Sequence, residues 1–296
     1  MDRAVKEGRT VTIDFKNLPK QELFGQGNVG CKGCGAAIAG RQAMKVLGER
    51  TIITIPASCM ATLGGNNTKT TWKTPFYHTL FECAPAISSG VRAALEIQGI
   101  KDVNVVSWGG DAGSADIGFQ SLTGAAERQE HIIHVLYDNE MYMNTGGQTG
   151  SQTPLYAITS NGALGKKVHK KNMLAIMEAH GIDYVASANI AYPEDLMNKF
   201  KKAASKKGFS YIHILAPCHR GWGIKPEETI EVARKAVECG MWELFEVDEG
   251  KRTRTYEPSF IPVADYLKAQ GRFKNLTAEQ TAELQKSVNK YYGKGE

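Results

Sequence analysis

From about residue 100 onward, short strand-like runs alternate with amphipathic stretches, and this restricts the fold more than any other feature of the chain. Residues 101–108 (KDVNVVSW) and 131–137 (HIIHVLY) read as buried strands, and residues 117–128 (IGFQSLTGAAER) between them carry apolar side chains at helical spacing. Residues 172–180 (NMLAIMEAH) read as helix, 183–186 as strand, 193 to about 207 as a helix with Pro193 in its first turn, and 211–215 (YIHIL) as strand. Upstream, residues 36–47 and 84–95 read as helices flanking a strand at 51–55. Strands buried on both faces and joined by helices form parallel sheets, because each crossover must return the chain to the same edge. The expected fold class is therefore α/β, a doubly wound, mainly parallel sheet. Residues 1–245 are expected to form one α/β domain, and 246–296 a charged helical C-terminal extension.

Composition excludes several classes of function. A chain of 296 residues, 42% hydrophobic and 23% charged, buries a full core without staples. Its longest apolar runs, 52–56 and 132–137, fall far short of the roughly 18 residues that a membrane-spanning helix requires. The opening MDRAVKEGRT lacks the apolar centre of a signal peptide, so a soluble, cytoplasmic chain is expected, with no membrane partner. The net charge of +5 comes from scattered basic residues and short runs, which read as solvated surface and not as a nucleic-acid footprint.

Six cysteines in a reducing compartment point to metal or redox chemistry more than to disulfides. Cys31 and Cys34 lie three apart among glycines in VGCKGCGAA, while Cys59, Cys83, Cys218 and Cys239 are dispersed. A zinc ribbon would place a second CxxC roughly 15 to 20 residues on, and none is there. On this motif alone a redox disulfide, a structural zinc and an iron–sulfur cluster all stay open.

Ligands of open parallel sheets bind beyond the carboxyl ends of the strands, and two loops in such positions are unusual. After Trp108 comes GGDAGSAD, with Gly110, Asp111, Ala112 and Gly113 ahead of a helix; after Tyr137 comes DNEMYMNTGG, with Asn139, Met141, Asn144 and Thr145. Magnesium binds diphosphates with oxygen ligands, which Asp111 and Asn139 can supply, and the glycines admit backbone amides to phosphate oxygens.

The pair of loops resembles the thiamine diphosphate signature, and DNEMYMNTGGQTGSQTP is similar to the matching segment of 2-oxoacid:ferredoxin oxidoreductases, above all the pyruvate synthase β subunits. The resemblance runs from about residue 25 to 245 and implies a thiamine diphosphate-binding fold. It implies that Asp111, the Asn139 side chain and the Met141 carbonyl ligate the Mg2+ carrying the cofactor diphosphate. Gly110, Ala112, Gly113 and Thr145 would line that cofactor, and Asn144, as the catalytic residue, would face the thiazolium and substrate. In that family one 4Fe-4S cluster is bound by a CxxC pair, a third cysteine about 25 residues on and a fourth far downstream; Cys31, Cys34, Cys59 and Cys218 occupy those positions. The implied activity is oxidative decarboxylation of a small 2-oxoacid, with electrons leaving one at a time through the cluster to ferredoxin. Implied partners are an alpha subunit completing the thiamine site, a ferredoxin-like subunit or domain with further clusters, ferredoxin itself and, in most members, coenzyme A. Pyruvate is the first expected substrate and oxalate the alternative, since Cys83 and Ala112 depart from the residues usual in the family. A non-redox thiamine enzyme and a zinc-stabilised binding module are the competing readings; the four-cysteine pattern argues against the former and its long spacing against the latter.

Other residues have plainer readings. Cys83 and Cys239 are expected to pack as small apolar groups, Asp116 to cap a helix, and His134 to be a satisfied core histidine. His78 and His219 are not assigned.

Overall fold

The computed structural model describes residue 13 and residues 15–65 and 70–295; the opening MDRAVKEGRT lies outside them. Among the described residues eight strands form one sheet: β1 (Thr51–Ile55), β2 (Phe76–His78), β3 (Asn104–Gly109), β4 (Ile133–Asp138), β5 (Tyr184–Asn189), β6 (Ser210–Leu215), β7 (Phe245–Asp248) and β8 (Lys251–Arg254). Their order is β2-β1-β3-β4-β6-β5-β7-β8. The first six pair in parallel, and β7 and β8 add an antiparallel edge. The expected mainly parallel, doubly wound sheet is present.

The helices are α1 (Gly35–Leu47), α2 (Cys59–Gly64), α3 (Ala84–Ile97), α4 (Asp111–Ala115), α5 (Phe119–Glu127), α6 (Met173–Ala179), α7 (Pro193–Ser205), α8 (His219–Trp222), α9 (Thr229–Glu238), α10 (Val263–Lys268) and α11 (Ala278–Tyr291). Strand alternation sends Val106, Trp108, Val135 and Tyr137 to the face covered by α1 and α7, while Val105 and Leu136 meet α5 and α6 on the other. On the first face Trp108 is fully buried and stacks on Phe200 with ring centroids 6.0 Å apart. Such a pair contributes about 0.5–1.5 kcal/mol beyond its buried area.

Residues 246–296, expected as helix, open with strand residues of β7 and with β8 before α10 and α11. The exposed KRTR of β8 is an edge strand with no apolar face, so it carries no hydrophobic period to read. Helices α10 and α11 pack with α9 around Trp222, Trp242 and Tyr266 in a second core. No helix among the described residues is long and apolar enough to cross a membrane.

The strand order locates the site. The chain leaves β1 toward β2 on one side and leaves β3 toward β4 on the other, so the carboxyl ends of the adjacent strands β1 and β3 face a crevice. Cys59 begins the helix after β1, and Asp111 begins the helix after β3.

Candidate active site

At that crevice lies a pocket of about 110 Å³ lined by Cys59, Gly110, Asp111, Ala112, Gly113, Tyr137, Asn139, Met141, Asn144 and Thr145 among others. Every residue expected to hold the cofactor lies here. Asp111 is 4% exposed; its Oδ1 accepts the Asn139 amide at 3.2 Å, while its Oδ2 is buried with no partner. Burial, followed by the neighbouring Asp138 charge, pushes the Asp111 carboxyl well above the usual carboxylate range. A buried, unpartnered carboxylate oxygen at the start of α4, beside Asn139, suits a bound cation. Asn139 Oδ1 accepts the Met141 amide at 3.3 Å, and the Trp222 indole donates to the Asn139 carbonyl at 2.8 Å, so the second loop is held from both sides. Asn144 Oδ1 accepts from the Thr62 hydroxyl at 3.1 Å, which leaves its amide hydrogens for a ligand.

Cys34, Cys59 and Cys218 stand at the amino-terminal ends of α1, α2 and α8. Cys34, Cys59 and Cys218 each feel other members of the set Cys31, Cys34, Cys59 and Cys218 electrostatically, and burial is the largest cause raising each of those three thiols, Cys59 to about 12. Tight backbone packing joins the CxxC turn to the segments around Pro217 and Pro226. Gly33 sits at φ +69°, where a side chain is strained, and a Cβ there would lie 2.2 Å from the Pro226 carbonyl oxygen. The Gly35 amide donates to the Pro217 carbonyl at 3.2 Å, and the Thr229 hydroxyl to the Gly33 carbonyl at 2.9 Å. The CxxC turn is thereby fixed on the segment carrying Cys218. Among the described residues, no three His, Cys, Asp or Glu side chains are disposed to hold a single metal ion.

Behind Asn139 lies a buried ionic network. Lys170 pairs with Asp138 at 2.5 Å and Glu140 at 2.9 Å, Arg272 with Glu140 at 2.6 Å, and His213 Nε2 meets Asp138 at 2.8 Å. Burial opposes ionisation of Asp138, yet Lys170 and His213 hold its carboxyl well below the ordinary range. Glu140, at φ +63°, turns the loop through this network.

Asp116 corrects its expected role. It lies at the C-terminal end of α4, accepts from the Tyr142 hydroxyl at 2.5 Å and the Ser151 amide at 3.3 Å, and pairs with Lys171 at 3.3 Å. It thus ties the two cofactor loops together. His134 behaves as expected, between Ser107 at 3.0 Å and Ser114 of α4 at 2.9 Å. Burial lowers its pKa to about 3, which keeps the ring neutral. Cys239 is buried in the second core, Cys83 precedes α3 with its thiol toward the Leu80 carbonyl, and neither lines the pocket. His78 is exposed, and His219 follows Cys218 with Nδ1 buried and unpartnered. Sequence reasoning missed Tyr137, Tyr142, Thr62 and Trp222, which reach the site through tertiary contacts with no local signal.

Known proteins share this chain's sequence and fold. Residues 55–214 match the family described as thiamine pyrophosphate enzyme, C-terminal TPP binding domain. The chain is 46% identical over 278 residues to pyruvate synthase subunit PorB of Methanothermobacter thermautotrophicus, covering 92% of this chain and 96% of that protein. It is 42% identical over 286 residues to ketoisovalerate oxidoreductase subunit VorB of Pyrococcus abyssi, covering 92% and 91%. Its fold matches that of 2-oxoglutarate:ferredoxin oxidoreductase from Magnetococcus marinus at TM-score 0.60 and 20% identity, over 96% of this chain and 95% of that one. With its doubly wound sheet, its paired loops at the β1–β3 crevice and these relatives, the chain belongs to the thiamine pyrophosphate enzymes, as a β subunit of the 2-oxoacid:ferredoxin oxidoreductases.

Proposed function

We propose that this chain is the thiamine- and cluster-bearing subunit of a cytoplasmic complex that oxidatively decarboxylates a small 2-oxoacid, pyruvate first, and passes the electrons to ferredoxin. The observation that carries the reading is a single pocket lined by both Cys59 and Asp111. It joins a group suited to redox chemistry to one suited to a diphosphate-bound cation.

Asp111, the Asn139 side chain and the Met141 carbonyl would hold Mg2+, with Gly110, Ala112, Gly113 and Thr145 against the diphosphate. Cys31, Cys34, Cys59 and Cys218 would hold a 4Fe-4S cluster. The four cysteines would bind as thiolates, their protons passing to solvent as the cationic cluster binds, and that charge would offset the burial that raises the free thiols. When bound, these groups supply the carbanion, the electron sink and the one-electron carrier that oxidative decarboxylation needs. The protein's own part is positional. Thr62 orients the Asn144 amide as a donor toward the substrate, the Asp116–Tyr142 bond keeps the two loops together, and the Lys170 network fixes the Asn139 turn.

Asn144 and Thr145 are exposed in this chain alone, which leaves the thiazolium side of the site for an alpha subunit to cover. A ferredoxin-like subunit or domain would carry electrons onward, and coenzyme A would take the acyl group. The relatives are named for pyruvate and for ketoisovalerate, so the substrate is expected to be decided largely outside this chain. The test is anaerobic dye reduction by the native complex with pyruvate, 2-oxoglutarate, 2-oxoisovalerate and oxalate, each with and without coenzyme A. Coenzyme A-dependent turnover of pyruvate is expected; turnover of oxalate alone, without coenzyme A, would replace pyruvate with oxalate.

A further inference from the structure

A second cavity, of about 640 Å³, shares no lining residue with the pocket at the β1–β3 crevice. Asn139 and Met141 line the first pocket, and Glu140 between them lines the second. Met173 of α6, Phe245 of β7 and Leu284 and Val288 of α11 form apolar walls, and Trp242 and Tyr266, 8% and 3% exposed, lie deeper. A concave site of about 300–1,000 Å³ with mostly apolar walls and a few polar groups suits a small molecule. The charged groups that line it differ in what they have left to offer. The carboxylates are spent: Glu243 accepts from Arg252 at 2.7 Å, Arg254 at 2.9 Å and the Tyr291 hydroxyl at 2.5 Å, and Glu140 is held by Lys170 and Arg272. Their side chains are 9% and 7% exposed, whereas that of Arg252 is 39% exposed. Arg252 spans the cavity from helix to helix. Its Nη1 donates to Glu178 of α6 at 3.0 Å and its Nη2 to the Tyr291 hydroxyl of α11 at 3.0 Å, with the guanidinium 3.5 Å from the centre of the Phe245 ring. With the bond to Glu243, these contacts use three of its five N–H groups.

We infer that this cavity binds an apolar monocarboxylate, its body between α6 and α11 and its carboxylate on Arg252 at the mouth. The apolar walls set the body of the ligand, and the exposed guanidinium above covered carboxylates sets its charge. A planar fork of N–H donors matches a carboxylate. A single negative charge suits the mouth better than the two of a phosphate, because Glu243 and Glu178 already face the same guanidinium. The ligand would lie beside Glu140 and Lys170, which line the same cavity, and so against the turn that carries Asn139 and Met141. The inference does not depend on the function proposed above, since Arg252 and the two helices belong neither to the cofactor pocket nor to the cysteine set.

The test is titration calorimetry with 2-naphthoate, an aromatic monocarboxylate, and with 2-naphthamide, its neutral analogue of nearly the same shape. Both probes are titrated into the full chain and into the native complex, as wild type, Arg252→Gln and Leu284→Trp. The naphthoate is expected to saturate one site per chain in both preparations, and the amide to bind about tenfold more weakly. Arg252→Gln should bring the naphthoate down to the affinity of the amide and leave the amide unchanged. Leu284→Trp fills the cavity and should abolish binding of both probes, with far-ultraviolet circular dichroism showing that the variant is folded; if it is not, Arg252→Gln decides alone. Absence of saturable binding, equal affinity for the two probes, or an Arg252→Gln chain that binds the naphthoate as the wild type does would each overturn the inference. Binding to the chain that is absent from the complex would overturn it too, by making the cavity a contact between subunits.

Discussion

Asp111 shows how a single side chain is spent on function at the expense of the fold. One carboxylate oxygen holds the Asn139 amide and the other is buried without a partner, beside Asp138. Asp111→Asn keeps the oxygen toward Asn139 and removes the uncompensated charge. The cofactor-free variant is expected to melt at or above the wild-type temperature, while thiamine diphosphate affinity in magnesium falls by about 100-fold or more. Calorimetry of unfolding and of binding on the same samples checks both. Tyr142 is a second case, since its hydroxyl donates to Asp116 across the two loops at 2.5 Å. Tyr142→Phe removes a bond to a charged acceptor in a half-buried setting and is expected to cost about 1–2 kcal/mol in denaturant unfolding. A variant as stable as the wild type would mean that the latch contributes nothing.

The sequence legibly encodes the long elements and leaves the short ones dark, for physical reasons. Strands β1, β3, β4 and β6 and helices α1, α3 and α7 announce themselves by apolar runs or helical periodicity, because each buries a full face. Helix α2 spans CMATLG, too short to show a period, and is held by Ser58 and Tyr137 more than by propensity. Helix α4 spans DAGSA, whose small residues read as a loop; its form follows from packing at the strand end. These two helices carry Cys59 and Asp111, so the residue types of the site were visible while the elements that aim them were not. The CxxC turn is the clearest element-scale test. Gly33→Ala places a methyl 2.2 Å from the Pro226 oxygen at φ +69° and is expected to cost about 1–3 kcal/mol locally. Iron per chain should fall well below the wild-type value while the far-ultraviolet circular dichroism is kept; full iron loading would contradict the close packing of this turn on the Cys218 segment.

At the scale of the molecule, the C-terminal segment is joined to the main sheet by buried and ionic contacts that make stability depend on acid. Glu238 at the end of α9 accepts from Tyr192 at 2.7 Å, Tyr256 at 2.6 Å and both the amide and hydroxyl of Ser259, at 3.1 and 2.5 Å. Burial opposes its ionisation, but the donated bonds of Ser259, Tyr256 and Tyr192 hold the carboxyl down to about 2, against an ordinary value of 4.5. A folded-state pKa below the unfolded one means that the unfolded chain binds more protons in this window, so the contribution is full above 4.5 and is lost as pH falls through about 2. The stability difference between wild type and Glu238→Gln should therefore be constant above about pH 5 and shrink as pH falls toward 2. A difference independent of pH down to that value would show that the carboxylate charge is not what ties the segment down.

In the function proposed here, four cysteines from three distant stretches of chain hold one iron–sulfur cluster beside a thiamine diphosphate site. Its most direct test is the iron, acid-labile sulfide and zinc content of this chain, purified without oxygen and compared with a Cys59→Ala variant. The expected result is about four irons with matching sulfide per wild-type chain, and a marked loss of both in the variant. Zinc without sulfide, or iron unaffected by the loss of Cys59, would rule out a cluster held by these four cysteines.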